Sequence, residues 1–275
     1  MAGGSQRDRL GDLAFVGALG VAAAAALLLL VAPTLIIVAA SFTSTAYLIF
    51  PPPGFSLRWY RALWETPEVW NAAYRSLIVA ACSTALSVGL GVPAAFPLAR
   101  GGSRFREAMG AFFMSPLILP SLVVGLAMLI YVNLLGLRLS LPLLVLAHVV
   151  ITLPYVIRTT AANLAMLGED VEQAARSLGA NRWRTFVHIT LPFLVPGIVT
   201  GAALAFIASF DNLTVSLFMA SARFEVLPVR LWALIENDID IRAAAIATVL
   251  ILATVALVLL VDRIAGLTRF VKAPP

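Results

Sequence analysis

Charged residues are scarce in this 275-residue chain, where they make up 12% of the sequence against 61% for hydrophobic residues. A soluble domain typically carries about twice that charged fraction. The scarcity excludes an ordinary soluble domain and indicates an integral membrane protein whose main solvent is the bilayer. The formal net charge of +5 does not indicate nucleic-acid binding, because no basic run with interleaved aromatic residues occurs.

Cysteine, lysine and histidine are almost absent, and each absence excludes a kind of chemistry. Cys82 is the only cysteine, so an internal disulfide framework is impossible. Lys272 is the only lysine, and no stretch resembles the Gly-x-x-x-x-Gly-Lys-Ser/Thr phosphate loop. We therefore expect this chain neither to hydrolyse ATP nor to bind a cofactor. His148 and His188 lie on distant segments with no matched carboxylate, which argues against a metal site and an intramembrane enzyme.

Six apolar segments are long enough to cross a membrane, since a helix needs about 20 apolar residues to span the hydrocarbon. They lack the alternation of barrel strands, so the predicted fold class is an all-α integral membrane protein with six transmembrane helices in one domain, 1–275. The first segment is too long for the core of a signal peptide and is predicted to remain as a span. The predicted spans are 13–41, 76–99, 108–135, 141–164, 192–220 and 241–261.

The distribution of basic residues predicts the orientation of the chain. With the amino terminus inside, twelve basic residues fall on the cytoplasmic side and seven on the outer side, which favours both termini in the cytoplasm. The inner set is Arg7, Arg9, Arg100, Arg104, Arg106, Arg158, Arg176, Arg182, Arg184, Arg263, Arg269 and Lys272. The outer set is Arg58, Arg61, Arg75, Arg138, Arg223, Arg230 and Arg242.

The connector Phe42–Arg75 contains a proline turn followed by an amphipathic piece rich in tryptophan and tyrosine. Trp59, Tyr60, Trp64 and Trp70 suit the headgroup region, so an interfacial helix is predicted. A simple membrane anchor and a contact with a soluble partner both remain open for it.

Prolines interrupt four of the spans, and each tends to kink its helix because it removes a backbone donor. Two interpretations of these kinks carry equal weight: they allow a path to open and close, or they only aid helix packing. The prolines are Pro93, Pro97, Pro116, Pro120, Pro154 and Pro196.

A polar segment, 169–191, separates the fourth and fifth spans and is predicted to form two short helices around a turn. The first helix has an apolar stripe, because four apolar residues recur at i, i+3, i+4 and i+7. These are Val171, Ala174, Ala175 and Leu178. The stripe needs something to receive it, and the candidates are the membrane surface, the chain's own spans or the groove of another protein.

The ends of both short helices are predicted from their local residues. Asp170, answered by Gln173, is predicted to cap the first helix, and Gly179 to end it in a left-handed conformation. Asn181 is a natural cap for the second helix. Apolar spacing in that second helix is carried by Trp183, Phe186 and Val187.

The same segment resembles the EAA motif through Glu172–Ala175, Leu178–Ala180, Phe186, Ile189, Leu191–Pro192 and Pro196–Ile198. That motif marks the permease subunits of ABC-type importers that use a substrate-binding protein. The resemblance implies the type I importer permease fold. It also implies a cytoplasmic coupling helix between helices 4 and 5 that fits a cleft in a separate ATPase subunit.

By this resemblance the ATPase-docking residues are Glu172, Gln173, Ala174, Ala175, Arg176, Leu178, Gly179 and Ala180. The support that anchors the coupling helix to the next span would include Trp183, Arg184 and Phe186. One departure is that Gln173 occupies the position of the motif's glutamate, with Glu172 just before it. Either Glu172 replaces that glutamate in a salt bridge to the ATPase, or Gln173 keeps a weaker neutral hydrogen bond.

Two further stretches resemble the same permeases. Ser115–Met128 resembles their third span, and Ser209–Arg230 resembles the polyamine branch, which also includes permeases proposed for opines, aminobutyrate and phosphonates. The resemblance implies three partners: an ATP-binding subunit dimer that carries the ATP and Mg, a second permease, identical or different, and an extracytoplasmic substrate-binding protein. It also places the chain among the lipids of a bacterial inner membrane.

Asp211 lies within the predicted fifth span, where a charge at mid-depth costs roughly 2.5–3.5 kcal/mol and marks a functional candidate. The structural alternative is a polar contact with Asn212 or with a neighbouring subunit. His148 and Tyr155 on the fourth span are further candidates for the substrate path, although a lone intramembrane histidine is more often a hydrogen-bonded packing residue. An acidic cluster, predicted to be a solvated loop or a contact for the binding protein, comprises Glu236, Asp238 and Asp240.

The sequence as a whole predicts the permease subunit of an ATP-driven, binding-protein-dependent importer. The chain would form half of the translocation path for a small polar solute, either polyamine-like or a related amino compound. The alternative is a gradient-driven secondary transporter or channel, which would use Asp211 as an ion site but leaves the cytoplasmic helix pair without a purpose. Dependence on ATP or on an ion gradient discriminates between the two.

Overall fold

The computed structural model of the chain describes residues 4–47, 49–221, 223–236 and 240–265. Predictions for Asp238, Arg269 and Lys272 lie outside these residues, as do the side chains of Arg7 and Arg9. Within the described ranges the chain folds into twelve α-helices and one π-helical turn. They are α1 (Gly4–Ser41), α2 (Arg58–Trp64), α3 (Pro67–Arg100), α4 (Ser103–Ile118), α5 (Ser121–Leu134), α6 (Leu141–Met166), α7 (Glu169–Ser177), α8 (Arg182–Thr185), the π turn (Phe186–Thr190), α9 (Leu191–Phe210), α10 (Leu213–Met219), α11 (Leu227–Glu236) and α12 (Ile241–Ala265).

The helices agree with the predicted all-α membrane fold. Among the described residues, five helical stretches are long and apolar enough to cross a membrane, and the bent pair α4–α5 makes a sixth crossing if it counts as one span. The fifth of the six predicted spans overlaps a continuous helix that includes α8, the π turn and α9, Arg182–Phe210.

The third predicted span, 108–135, which Pro116 and Pro120 were expected to interrupt, consists of two helices. α4 and α5 are bent by 100° at the break between Ile118 and Ser121. Leu119 is extended, with φ −74° and ψ 145°, as expected for a residue that precedes a proline. Pro120 therefore ends α4, whereas Pro116 is accommodated inside it.

The boundaries of two other spans also differ from the prediction. The fifth span was predicted to run to residue 220, but α9 ends at Phe210 and a separate helix, α10, begins after Asn212. The second span was predicted to begin at residue 76, but α3 begins at Pro67. Proline at the first helical position and Glu68 in the first turn both favour this earlier start. Trp70 and Arg75 therefore belong to α3 and not to a connector.

The chain divides into two compact units, and the first comprises residues 1–65 and 238–250. Its short helix α2 lies where the interfacial helix was predicted, and it is held to the end of α1 by its aromatic residues. The Tyr60 hydroxyl lies 2.7 Å from Ser41 Oγ, and Trp59 Nε1 donates to the carbonyl oxygen of Thr43 at 3.0 Å.

The second unit comprises residues 66–237 and 251–275, and its centre is formed by α3, α6 and α9. Small residues let these helices approach closely, as is common between membrane helices. A Cβ added at Gly91 of α3 would lie 3.0 Å from Val156 of α6, and one added at Gly201 of α9 would lie 2.9 Å from the Val156 backbone. Ser87 of α3 and Thr152 of α6 are hydrogen-bonded at 2.8 Å.

Candidate coupling surface and translocation path

The helix α7 corresponds to the predicted coupling helix, but its first turn is not capped as predicted. Gly168 occupies the cap position and makes no side-chain hydrogen bond, and Asp170 is already the second helical residue. The first turn instead carries Glu169, Asp170 and Glu172, whose negative charges are favourable near a helix amino terminus.

The turn after α7 has the predicted left-handed glycine. Gly179 has a φ of +90°, its N–H donates to Arg176 at 2.9 Å, and the N–H of Ala180 donates to Ala175 at 3.1 Å. These two bonds define a Schellman motif. Asn181 caps the next helix as predicted, since its Oδ1 accepts from the Arg184 N–H at 2.8 Å.

The predicted support helix is continuous with the fifth span. The Leu191 N–H donates to the Phe186 carbonyl, five residues back, which is the π-helical pattern. Pro192 follows and has no N–H of its own to donate. The ring of Phe186 lies 6.0 Å from the rings of Trp183 and of Phe96 in α3. The support is thereby packed against the end of the second span.

The apolar stripe of α7 is not covered by the chain's own described spans. Leu178 is 90% exposed and Val171 is 48% exposed, while Ala174 is also exposed and Ala175 is half-buried. Of the three candidates for receiving this stripe, the structure therefore removes the chain's own spans. The membrane surface and another protein remain.

Glu172 points the other way and is buried, with only 6% of its surface exposed. Its two carboxylate oxygens accept from both Arg100 Nη atoms at 2.7 and 3.1 Å. Oε1 also accepts from Thr190 Oγ1 at 2.5 Å, and Arg176 lies 3.8 Å away. One of the two alternatives above had Glu172 in a salt bridge to the ATPase. In this structure its carboxylate is bonded within the chain, whereas Gln173 beside it is exposed.

The pKa of the Glu172 carboxyl lies below its usual value of 4.5, chiefly because of the hydrogen bond from Arg100. Burial raises this pKa, whereas the hydrogen bond from Thr190 and the charges of Arg100 and Arg176 lower it further. A carboxyl whose pKa falls on folding stabilises the fold above its unfolded pKa and loses that contribution as the pH falls through the folded value. Glu172 is therefore ionised at neutral pH, and its contribution to stability is complete there.

The structure brings together three of the four candidate path residues, at the break between α9 and α10. Asp211 is the exposed residue that follows α9, and Asn212 caps α10 by accepting from the Val215 N–H at 2.9 Å. Asp211 was predicted to lie within the fifth span. The structure instead places it at the break between two helices. It borders a cavity of about 160 Å³ together with Phe206 and Phe210, whose rings stack 5.8 Å apart.

His148 is joined to both sides of this break, although it is 1% exposed and does not face the cavity. Its Nδ1 lies 2.7 Å from Ser209 Oγ in α9, and its Nε2 lies 3.1 Å from Ser216 Oγ in α10. It is thus a hydrogen-bonded packing residue. Tyr155 lies seven residues further along α6, about two turns away, and is half-buried.

Sequence reasoning missed the partners of these residues. Arg100 was assigned only to membrane topology, although it pairs with a residue 72 positions away. Ser209 and Ser216 were not singled out, because isolated serines in apolar runs carry no spacing signal.

A membrane chain with broken spans and an exposed helix–turn–helix between the fourth and fifth spans defines a transport subunit. A family model described as "Binding-protein-dependent transport system inner membrane component" matches residues 87–269, and the chain belongs to this family. The predicted resemblance is thereby confirmed.

The chain is similar to several curated permeases. It is 34% identical to the putrescine transport system permease protein PotI of Escherichia coli K12, over 72% of this chain and 73% of that protein. It is 31% identical to the spermidine/putrescine permease PotC of Haemophilus influenzae, over 75% and 80%. It is 35% identical to the molybdenum transport system permease protein ModB of Mycobacterium bovis, over 71% and 78%.

Two solved structures share the fold. A bacterial ABC transporter involved in the import of alginate matches with a TM-score of 0.63 at 15% identity, over 94% of this chain and 97% of that one. An inward-facing MetNI methionine ABC transporter matches with a TM-score of 0.60 at 18% identity, over 73% and 97%. The chain is thus the permease subunit of an ABC importer, as the sequence predicted.

Proposed function

We propose that this permease binds a separate ATPase through the exposed face of α7 and carries a small amine across the bacterial inner membrane. The observation that supports docking is the exposure of the α7 stripe, with Leu178 90% exposed. An apolar face of this kind at a fixed helix is suited to the groove of another protein. The ATP and Mg are held by the partner subunits.

The remaining partners follow from the size of the chain. A subunit with six membrane crossings forms half of the translocation path, so a second permease, identical or different, completes it. A binding protein delivers the solute on the outer side. ATP binding closes the ATPase pair, α7 moves with it, and the helix continuous with α8 carries this movement to the break at Asp211.

The docking proposal is tested with Leu178→Asp, compared with Ser177→Asp on the neighbouring, exposed face of the same helix. Both variants place the same charge at the carboxyl end of α7, at its last residue or at the cap residue that follows, so their effects on the helix itself are similar. We expect Leu178→Asp to release the ATPase during co-purification and Ser177→Asp to retain it. Equal retention by the two variants would remove α7 as the docking site.

The solute is proposed to be a polyamine-like cation. Asp211 supplies a negative charge, and the stacked rings of Phe206 and Phe210 border the same cavity, which suits a cation that binds to aromatic faces. The names of the relatives do not decide this, since ModB belongs to a molybdenum system. Stimulation of ATP hydrolysis in the reconstituted importer by spermidine, and not by molybdate, is the expected result, and the reverse would assign an oxyanion.

The orientation is proposed to place both termini in the cytoplasm, because α7 then faces the ATPase. The count of twelve inner against seven outer basic residues supports this arrangement. A fluorescent protein fused to the carboxyl terminus, of a kind that folds only in the cytoplasm, should fluoresce. A dark, stably produced fusion would contradict the orientation.

A further inference from the structure

We propose that the ion pair between Arg100 and Glu172 is the internal link that passes the movement of α7 to the second span, with Glu172 as a positioning residue. This inference rests on the docking of an ATPase to α7, as proposed above. It differs from the expectation that the acidic residue of this motif contacts the ATPase.

The carboxylate of Glu172 joins three elements at one point. Arg100, the last residue of α3, donates two hydrogen bonds to it. Thr190, the last residue of the π turn, donates a third. Glu172 itself belongs to α7, so the second span, the coupling helix and the base of the fifth span meet at a single side chain.

Glu172 is the residue through which α7 is buried against the rest of the described chain. Of the nine residues of α7, all of them described, Glu172 alone is buried. The opposite face carries the exposed stripe with Val171 and Leu178. A force applied by a partner to the stripe is therefore passed on at Glu172.

The pair is suited to transmit movement because it is directional. Two parallel hydrogen bonds between a guanidinium and a carboxylate fix orientation as well as distance. Burial of the carboxylate makes separation costly, since the remaining charge would be left without its partner. The lowered pKa of Glu172 is in agreement with an ionised, fully bonded carboxylate.

The carboxyl-terminal end of α3, to which the ion pair would pass the movement, has room to bend. Pro93 and Pro97 lie in the last two turns of α3, and each removes a backbone hydrogen bond there. A cavity of about 230 Å³ borders Arg100 and Glu172 on the side of Arg182 and Thr185. The end of α3 therefore has both weakened backbone bonding and adjacent space in which to move.

The test uses the assembled importer with its ATPase, second permease and binding protein. Three variants are compared: Glu172→Gln, Arg100→Gln and the double variant. Arg104→Gln, at an exposed arginine of α4, is the control. Glu172→Gln keeps the shape of the side chain and removes its charge, whereas Arg100→Gln removes the charge and shortens the side chain. Thermal unfolding in detergent verifies that each variant remains folded.

The readout is the ratio of substrate-stimulated to basal ATP hydrolysis, measured together with the amount of ATPase that co-purifies. We expect each single variant to lower the ratio by about tenfold while retaining the ATPase. The double variant should be no worse than the poorer single variant, because residues that act through one another are not additive. Arg104→Gln should keep the wild-type ratio.

Three results would overturn the link. If Glu172→Gln releases the ATPase and Arg100→Gln retains it, Glu172 contacts the ATPase directly. Decreases that multiply in the double variant would mean that the residues act independently, and unchanged ratios in both single variants would make the pair inert. Failure of the docking proposal is distinguished from these results because it appears as retention of the ATPase by Leu178→Asp.

Discussion

A group of polar side chains buried among the apolar helices of the second unit is hydrogen-bonded together around His148 and Ser209. Ser83 Oγ donates to Ser209 Oγ at 3.0 Å, and His148 bonds Ser209 and Ser216. A neutral imidazole has one donor and one acceptor nitrogen, and a hydroxyl can serve either. Both ring nitrogens are therefore satisfied without a charge, and the two helices that flank the break at Asp211 are held by one residue.

Replacing His148 by alanine should destabilise the protein by about 1–3 kcal/mol, because it leaves buried hydroxyls without their partner. His188→Ala is the matched control, since His188 is exposed and its ring bonds only the Arg184 carbonyl in its own helix turn. Thermal unfolding in detergent measures both. Equal midpoints for the two variants would mean that the buried hydrogen bonds contribute nothing.

At the residue scale, the sequence predicts those caps and turns that depend on residues within the same helical turn. Gly179 and Asn181 follow from residues within the same turn, and both predictions are confirmed. The Asp170 cap failed because Gly168 starts the helix two residues earlier. The partner of Glu172 could not be predicted, since Arg100 is remote in sequence and any basic residue at a span end looks alike.

At the scale of secondary-structure elements, the close contact between α9 and α6 depends on a glycine. A side chain at Gly201 of α9 would meet Thr159 and the backbone of Val156, both in α6, and a backbone cannot move aside as a flexible side chain can. At Gly89 of α3, by contrast, a Cβ meets nothing within 4 Å. Both glycines are helical, so only the packing differs between them.

Gly201→Ala should therefore destabilise the fold by about 1–3 kcal/mol through overpacking. Gly89→Ala should be neutral or stabilising by up to about 1 kcal/mol, since alanine is the better helix former. The unfolding midpoints of the two variants in the same detergent provide the comparison. A Gly89→Ala variant as unstable as Gly201→Ala would show that close packing at α6 is not the cause.

Helix breaks are only partly predictable from the sequence. Pro120 was recognised as a point of interruption, but apolar length alone made α4 and α5 one span. The end of α9 at Phe210 carries no proline or glycine, and Asn212 acts there as the cap of a new helix. A hydropathy window does not register a cap, so the fifth span was predicted to end about ten residues too late.

For the whole transporter, the charge at Asp211 should matter to the solute and not to assembly. Asp211→Asn should raise the spermidine concentration that half-stimulates ATP hydrolysis by about tenfold, since a charge-assisted contact is lost. Glu107→Gln, at an exposed acid of α4, is the control and should leave this concentration unchanged. An unchanged value for Asp211→Asn would remove this residue from the substrate path.

The family and fold were predictable because the motif in segment 169–191 is local and specific, and the match over residues 87–269 confirms the family. The solute is not predictable in the same way. Relatives of nearly equal identity belong to putrescine and molybdenum systems, so overall identity does not assign the solute.

The helix Arg182–Phe210 is 29 residues long, about 43 Å at 1.5 Å per residue. One end adjoins the coupling turn and the other carries Asp211. Such a rod acts as a lever arm: a tilt of about 10° at its base displaces the far end by roughly 7 Å over this length. With an ATPase docked on α7 as proposed above, a slight movement of α7 is sufficient, and the length of the arm sets the size of the opening proposed at Asp211.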